Sequence, residues 1–244
     1  MTQKHSEKAR KMGTSAKGLN VQVEPLSRET LQDRVYRQVA GLILDGGISP
    51  GQQITIQALA EAFHVSAMPV REALKRLTTA NALTVVSGRS IGIPPLSLTR
   101  LSDLRRVRIE LEGVATSWAS ASIDAGAIDR LNSRLAEMDD AIGTGDARAF
   151  LKANRAFHFT IYEAAGSPVL AGMIENLWLQ IGPYLNLLRA SKNHFSSNNH
   201  HREIVAALQS RNGDLARAAM VSDIDEAYAD LVEALSDNTT VTVA

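Results

Sequence analysis

Residues 49–77 read SPGQQITIQALAEAFHVSAMPVREALKRL and predict two short helices joined by a tight turn. Thr55 is suited to cap a first helix from Ile56 to Phe63, because its hydroxyl accepts a hydrogen bond from a free N–H group at the helix start. Residues 64–66 break the pattern, and a second helix runs from Pro69 to Thr79 with proline in its first turn. Its apolar stripe consists of Val70, Ala73, Leu74 and Leu77.

Further elements are predicted on both sides of this pair. Upstream, the apolar spacing is helical from Leu26 until the paired glycines at Asp45-Gly46-Gly47 end the helix. The residues expected on its buried side are Leu31, Val35, Val39, Leu42 and Ile43. Downstream, the β-prone runs 83–86 and 90–93 flank Ser87-Gly88-Arg89. They predict a small hairpin with a cationic tip.

The second helix of the pair has the features of a helix that reads DNA. An α-helix fits the major groove and contacts the bases with side chains at its N-terminal end. Its solvent side carries Arg71, Lys75 and Arg76. Ser66 at the helix entry leaves backbone N–H groups for a phosphate, and Arg89 lies at the tip of a wing, so the whole is a winged helix-turn-helix. The alternative for Arg71 is a surface ion pair with Glu72 or Glu61, and Lys75 and Arg76 have the same kind of alternative.

These residues resemble the signature of GntR-type transcriptional regulators over residues 28–95. The matching segments are Ser49-Pro50-Gly51-Gln52, Leu59-Ala60, Val65-Ser66, Pro69 to Leu74 and Arg76-Leu77. The resemblance implies a dimer that binds an inverted repeat of operator DNA. Where the family usually has Arg and Thr this chain has Ala67 and Met68, which implies a different half-site. The DNA-contacting residues predicted from the pattern and the resemblance together are Gln57, Ser66, Ala67, Met68, Arg71, Lys75 and Arg89.

Charge divides the chain into a basic and an acidic half. The whole chain balances 26 Lys and Arg with 26 Asp and Glu, but residues through Pro95 hold 12 basic against 7 acidic residues. Pro94-Pro95 continues neither a helix nor a central strand. We therefore predict a disordered basic arm over residues 1–24, a winged helix-turn-helix DNA-binding domain over 25–95, and an all-α effector-binding and dimerisation domain over 96–240. The arm is either a solvated tail or an extension that contacts phosphate.

Composition and motifs exclude several classes of protein. Without cysteine the chain has no disulfide, Cys-ligated zinc or thiol nucleophile, which fits a cytoplasmic location. No apolar run approaches the ~18 residues that span a bilayer, so no membrane partner is expected. The N-terminal residues lack the apolar stretch of a secretory signal. No nucleophile motif, phosphate-binding glycine loop or His-Glu-x-x-His sequence is present, so we expect no enzyme.

Residues 99–235 show helical patterns interrupted by turn residues and predict about six helices packed as a bundle. Gly145-Asp146 and Gly213-Asp214 each place a glycine for a turn before an Asp that caps the next helix. The predicted fold class is mainly α, with an N-terminal winged helix-turn-helix and a C-terminal all-α bundle of six to seven helices.

Several polar residues fall on the apolar faces of these helices. His158 lies one turn after Asn154, so both side chains point to one place. Asp223 lies on the apolar face of the last helix, and one of His200 and His201 points inward at the start of the preceding one. An unpaired buried carboxylate is costly, and imidazoles that converge on it form a set for a divalent metal.

The order of these features resembles the FCD ligand-binding domain of the FadR subfamily. The matching segments are Leu104-x-x-x-Arg108-x-x-Leu111-Glu112-x-x-Ala115, Asn154-x-x-Phe157-His158, His201-Arg202-x-Ile204, and Gly213-Asp214 with Met220-x-x-Asp223. Metal-binding members have Asp, His, His and His where this chain has Asn154, His158, His201 and Asp223. The resemblance implies zinc or a similar divalent metal on His158, His201 and Asp223, with Asn154 as a weak ligand.

By the same resemblance, Arg108 binds an organic-acid effector, and the predicted effector-binding residues are Arg108, Asn154, His158 and His201. The alternatives are a pair between Arg108 and Glu112, a metal-free polar pocket, or an ordinary hydrogen-bonded core. The sequence thus predicts a homodimeric, metabolite-responsive transcriptional regulator that represses a catabolic or transport operon. A constitutive DNA-binding protein whose bundle serves only dimerisation is the other interpretation.

Overall fold

The computed structural model describes residues 30–87, 90–185 and 198–241, with side chains through residue 236. The basic arm and the wing-tip Arg89 lie outside the described residues. Within them the chain forms nine helices and three short strands, so the predicted class, mainly α with a winged helix-turn-helix and a helical bundle, is confirmed.

The first part of the chain is the winged helix-turn-helix. Its elements are α1 (Leu31–Leu44), β1 (Gln53–Thr55), α2 (Ile56–Phe63), α3 (Ala67–Thr79), β2 (Thr84–Ser87) and β3 (Ser90–Gly92). The strands form an antiparallel sheet in the order β1-β3-β2, with Ile54 opposite Ile91 and Val85 opposite Ile91. The sequence predicted the hairpin of β2 and β3, whereas β1 was read only as a turn and a helix cap.

Local signals account for the helices of this module. The Thr55 hydroxyl accepts a hydrogen bond from the Ala58 N–H at 3.1 Å, which confirms the predicted cap of α2. Ser66 occupies the N-cap position of α3, but its side chain makes no capping bond. The predicted apolar stripe of α3 is buried as a whole. On α1, the prediction that Leu31 and Leu42 lie in the core is wrong, because both are exposed, whereas Ala40 is buried.

The second part is the helical bundle. Its elements are α4 (Leu98–Ser122), α5 (Ala125–Thr144), α6 (Ala147–Ala164), α7 (Pro168–Leu185), α8 (Asn199–Gln209) and α9 (Gly213–Val241). Asp146 caps α6 by accepting from the N–H groups of Arg148 and Ala149, as predicted. The predicted cap at Asp214 is wrong, because Asn212 accepts from the Leu215 N–H at 3.0 Å and Asp214 lies in the first turn of α9.

Helix α4 lies at the centre of the bundle and packs against α6, α7 and α9. It runs antiparallel to α9, since Arg105 pairs with Asp225 while Gly113 packs on Arg217. Its inward face is unusual because polar residues interrupt the apolar ones. The buried polar residues of α4 are Arg108, Glu112, Thr116 and Ser120. This polar strip positions the site described below.

The winged module also contacts the bundle of the same chain directly. Asp45, just after α1, forms an ion pair of 2.9 Å with Arg155 of α6. Arg100 at the start of α4 donates to the Asn81 carbonyl at 3.0 Å and to Gln180 of α7 at 3.1 Å. Helix α1 packs on α7. The position of the winged module is therefore tied to α6 and α7.

The close approach of β3 to the backbone of Gln52 can be tested by substitution. A Cβ atom at Gly92 would lie 2.9 Å from the Gln52 carbonyl oxygen, a backbone atom that cannot turn away. We expect Gly92→Ala to lower the free energy of unfolding by about 1–3 kcal/mol, measured by urea denaturation. Gly172→Ala, inside α7 with open space around the new methyl group, is the control and should raise it by up to about 1 kcal/mol. Equal effects of the two substitutions would contradict the close approach.

Candidate functional site

Helix α3 presents an exposed face near its N-terminal end. Met68, Arg71 and Lys75 are exposed and are spaced by three and four residues, so they share one side of the helix. The side chain of Arg71 makes no hydrogen bond or ion pair with any residue that the structure describes. Its predicted alternative partner Glu61 instead accepts from Gln57 at 3.4 Å. The described part of this face is therefore available to a ligand.

Arg76 differs from its neighbours on α3. It forms an ion pair with Asp33 of α1 at 2.8 Å, and its guanidinium lies 4.1 Å from the centre of the Tyr36 ring. Burial, followed by the nearby charge of Glu175 on α7, raises the pKa of Tyr36. Arg76 thus holds α3 on α1, which is the surface ion pair considered as its alternative, although the sequence did not indicate Asp33 as the partner.

Inside the bundle, α6, α8 and α9 bring together the predicted polar residues. His158 Nε2 lies 3.3 Å from Asp223 Oδ2, and His201 Nε2 lies 3.4 Å from Asp223 Oδ1. His201 Nε2 is also 2.7 Å from Asn154 Oδ1. One ligand atom from each of His158, His201 and Asp223 lies within 4.8 Å of the others. Of the two adjacent histidines, His201 is buried, while His200 is partly exposed and pairs with Glu203.

The charges in this cluster suit a cation. Burial by itself would raise the pKa of Asp223, but the charges of His201 and His158 in their protonated forms and a hydrogen bond from His158 lower it below its ordinary value, so the carboxylate is ionised. Burial lowers the pKa of His201 to about 4 against the opposing effect of Asp223, which leaves its imidazole neutral at pH 7. A carboxylate beside a neutral imidazole is the donor set that zinc and related metals prefer.

A chain of buried hydrogen bonds links His158 to Tyr162 and Tyr162 to Glu112. His158 Nδ1 lies 3.2 Å from the hydroxyl oxygen of Tyr162, and this hydroxyl donates to Glu112. Burial, followed by Glu112, raises the pKa of Tyr162 well above its ordinary value, so the phenol keeps its proton. Because this hydroxyl donates to Glu112, the Tyr162 oxygen is placed to accept from His158 Nδ1, and Nε2 of the same ring faces Asp223.

The geometry of this cluster tests whether the residues fit a metal. His158 Nε2 lies 3.3 Å from Asp223 Oδ2, so either a proton on Nε2 or a metal ion between the two atoms satisfies both of them. Adjacent ligands of a zinc ion lie about 3–3.5 Å apart, which matches the separations of both imidazoles from Asp223. The donor set fits a divalent metal.

Only two of the three guanidinium nitrogens of Arg108 form hydrogen bonds to residues that the structure describes. Its Nε donates to Glu112 at 2.6 Å and its Nη2 to the same carboxylate at 3.3 Å, so the predicted alternative pair is formed. Nη1 has no hydrogen bond to any residue in the described ranges. The guanidinium lies 5.4 Å from the Trp178 ring centre, and the Nε1 of this buried indole lacks a hydrogen-bond partner within the same ranges. Two unused donors therefore lie in the centre of the bundle.

Glu112 gives a test of the buried chain. It is fully buried and balances Arg108, which is 6% exposed. We expect Glu112→Ala to lower the free energy of unfolding by about 3–5 kcal/mol, because it leaves an uncompensated buried charge. Glu110→Ala on the same helix removes only a surface pair with Arg217 and should cost less than about 1 kcal/mol. Chemical denaturation that finds both substitutions equally mild would show that Arg108 is solvated.

Among the described residues, no helix is both long enough and apolar enough to cross a bilayer. Comparison with protein families matches residues 31–93 to bacterial regulatory proteins of the gntR family and residues 103–226 to the FCD domain. FCD domains often bind metal ions. The two matches fall on the winged module and on the bundle.

Individual relatives agree with these matches. The chain is 30% identical to the HTH-type transcriptional regulator McbR of Escherichia coli over 77% of this chain and 86% of McbR. It is 22% identical to the HTH-type transcriptional repressor RspR of the same species over 85% of this chain and 92% of RspR. The solved structure of E. coli McbR/YncC has a TM-score of 0.77 at 27% identity and covers 84% of this chain and 99% of that one. These relatives are transcriptional regulators and not enzymes. The chain therefore belongs to the GntR family of bacterial transcriptional regulators, and its FCD domain agrees with the FadR-like subfamily.

Proposed function

We propose that this chain is a cytoplasmic, homodimeric repressor of a catabolic or transport operon. A small carboxylate effector controls the affinity of this repressor for operator DNA. The observation that supports the proposal is the convergence of His158, His201 and Asp223 inside a bundle that is joined to a DNA-binding module. The repressor assignment is supported by the name of the relative RspR. We place the boundary between residues 25–95 and 96–240 at Pro94-Pro95.

The DNA side of the proposal rests on the exposed face of α3. Arg71 and Lys75 supply charge for base edges and phosphates, and Met68 completes this face. The further contact residues that we propose are Gln57, Ser66, Ala67 and the wing-tip Arg89. Phosphate contacts give affinity without sequence preference, so specificity falls to the residues in the first turns of α3.

The ligand side rests on the polar cluster. We propose that His158, His201 and Asp223 hold a divalent metal, zinc or similar, with Asn154 as a weak fourth ligand. When bound, the metal supplies a Lewis acid with open positions for an oxygen of the effector. The unused Nη1 group of Arg108 suits the effector's carboxylate, because a guanidinium binds such a group through several N–H donors.

The two parts of the chain are coupled through α6 in this proposal. Asn154 and His158 belong to the polar cluster, and Arg155 on the same helix pairs with Asp45 of the winged module. A displacement of α6 on effector binding therefore changes the placement of α1 and with it α3. In a dimer on an inverted repeat, a small change in the spacing of the two α3 helices weakens operator binding.

A second candidate is a constitutive DNA-binding protein with a purely structural bundle. The hydrogen bond of 2.7 Å between His201 and Asn154 favours it, since this pair satisfies itself without a metal. The candidates differ in one measurement, the operator affinity with and without zinc and a panel of small carboxylic acids. The repressor proposal expects the affinity to change with at least one acid, and constant affinity throughout would favour the second candidate.

Charge reversal tests the DNA-binding face. We expect Arg71→Glu to weaken binding to a duplex selected by the wild-type protein from a random library by about 10- to 100-fold, the loss of a contact worth 1–3 kcal/mol. Arg130→Glu, an exposed arginine on α5, is the matched control and should change affinity little. Fluorescence anisotropy measures both. Retention of wild-type affinity by Arg71→Glu refutes the assigned face.

The adjacent histidines give a matched test of the metal site. We expect zinc titration by calorimetry to show one site per chain in the wild type, lost in His201→Ala and kept in His200→Ala, because His200 is bound to Glu203 outside the cluster. Addition of a chelator should lower the melting temperature of the wild type and of His200→Ala only, since a ligand that binds the folded state stabilises it. Zinc binding by the His201→Ala variant would show that the metal site lies elsewhere in the protein.

A further inference from the structure

Met68 is an exposed apolar residue in a polar setting. Its side chain is 62% exposed in the first turn of α3, two residues after the N-cap Ser66. It shares a face with Arg71 and Lys75, which are both exposed. Single exposed apolar residues are common on protein surfaces, so exposure by itself implies nothing. The position of Met68 at the base-reading end of the helix carries the inference.

The chemistry of the major groove limits what Met68 can contact there. Its side chain offers no N–H or O–H donor, and its thioether is only a weak acceptor. Among the groups on the base edges, the C5-methyl of thymine is the apolar one. We propose that Met68 reads the methyl group of a thymine in each operator half-site. This inference rests on the proposed DNA-binding face and adds the sequence preference of that face.

The spacing on α3 says where this thymine lies. Side chains three residues apart on a helix have Cβ atoms about 5–6 Å apart, and successive base pairs are about 3.4 Å apart. A thymine that contacts Met68 is therefore one or two base pairs from the base that Arg71 contacts. Arginine commonly binds the O6 and N7 atoms of guanine. The predicted half-site thus contains a thymine one or two base pairs from a guanine.

The experiment removes the methyl group from the DNA and the side chain from the protein. Duplexes are first selected by the wild-type protein from a random library, and each thymine of the resulting half-site is then replaced by deoxyuridine, which pairs identically and lacks only the methyl group. Affinities are measured for the wild type, Met68→Ala and Met173→Ala. Met173 is the matched control, because it is 52% exposed on α7, outside the winged module. Both substitutions are at exposed positions and should leave the melting temperature unchanged.

We expect one thymine per half-site at which deoxyuridine weakens wild-type binding about fourfold, the effect of losing one buried apolar carbon. Met68→Ala should bind the thymine and deoxyuridine duplexes equally, whereas Met173→Ala should keep the difference. The inference is overturned if the wild type tolerates deoxyuridine at every position, or if Met68→Ala keeps the penalty because another residue reads the methyl group. Failure of the wild type to select any sequence is a different outcome, and it overturns the proposed function together with this inference.

Discussion

The buried pair between Arg108 and Glu112 is the constraint on which the bundle depends. Two charges in the centre of α4 are tolerable only when their hydrogen-bonding groups find partners, and Tyr162 supplies one of them from α6. Because the Glu112 carboxylate accepts from the Tyr162 hydroxyl, the Tyr162 oxygen is left to accept from His158 Nδ1. His158 Nε2 then faces Asp223 on α9. A structural ion pair thus orients the imidazole that faces the candidate metal site.

Helix α6 joins this chemistry to DNA recognition. One part of its surface holds Asn154 and His158 against α8 and α9, and Arg155 between them reaches the winged module at Asp45. Helix α7 contributes in a similar way, since Trp178 lies beside His158 while Gln180 binds Arg100 at the start of α4. The contacts that shape the polar cluster and those that place the winged module are therefore on the same two helices. In the proposed function, a ligand that displaces either helix would also displace α1, on which α3 packs.

Much of this arrangement follows from local sequence signals. The spacing of Asn154 and His158 predicts a shared face, and the apolar stripe around Asp223 predicts that the acid points inward, as the structure shows. The regular spacing of apolar residues likewise predicts α2 and α3, because the apolar stripe of each helix is short and uninterrupted. These features depend on residues within one or two helical turns, which a sequence displays directly.

The features that the sequence missed depend on distant residues. Strand β1 has three residues and exists only through its pairing with β3, some forty residues later. The Tyr162–Glu112 bond joins residues of α6 and α4, although the i, i+4 spacing of His158 and Tyr162 was a usable signal. Arg76 binds Asp33 across a similar distance along the sequence.

The most direct test of the central claim, that the polar cluster is a metal site, is an anomalous difference map at the zinc edge from crystals grown with zinc. The account predicts a single peak between His158 Nε2, His201 Nε2 and the Asp223 carboxylate, and a map without it, with Asp223 hydrogen-bonded to a protonated His158, would contradict the claim.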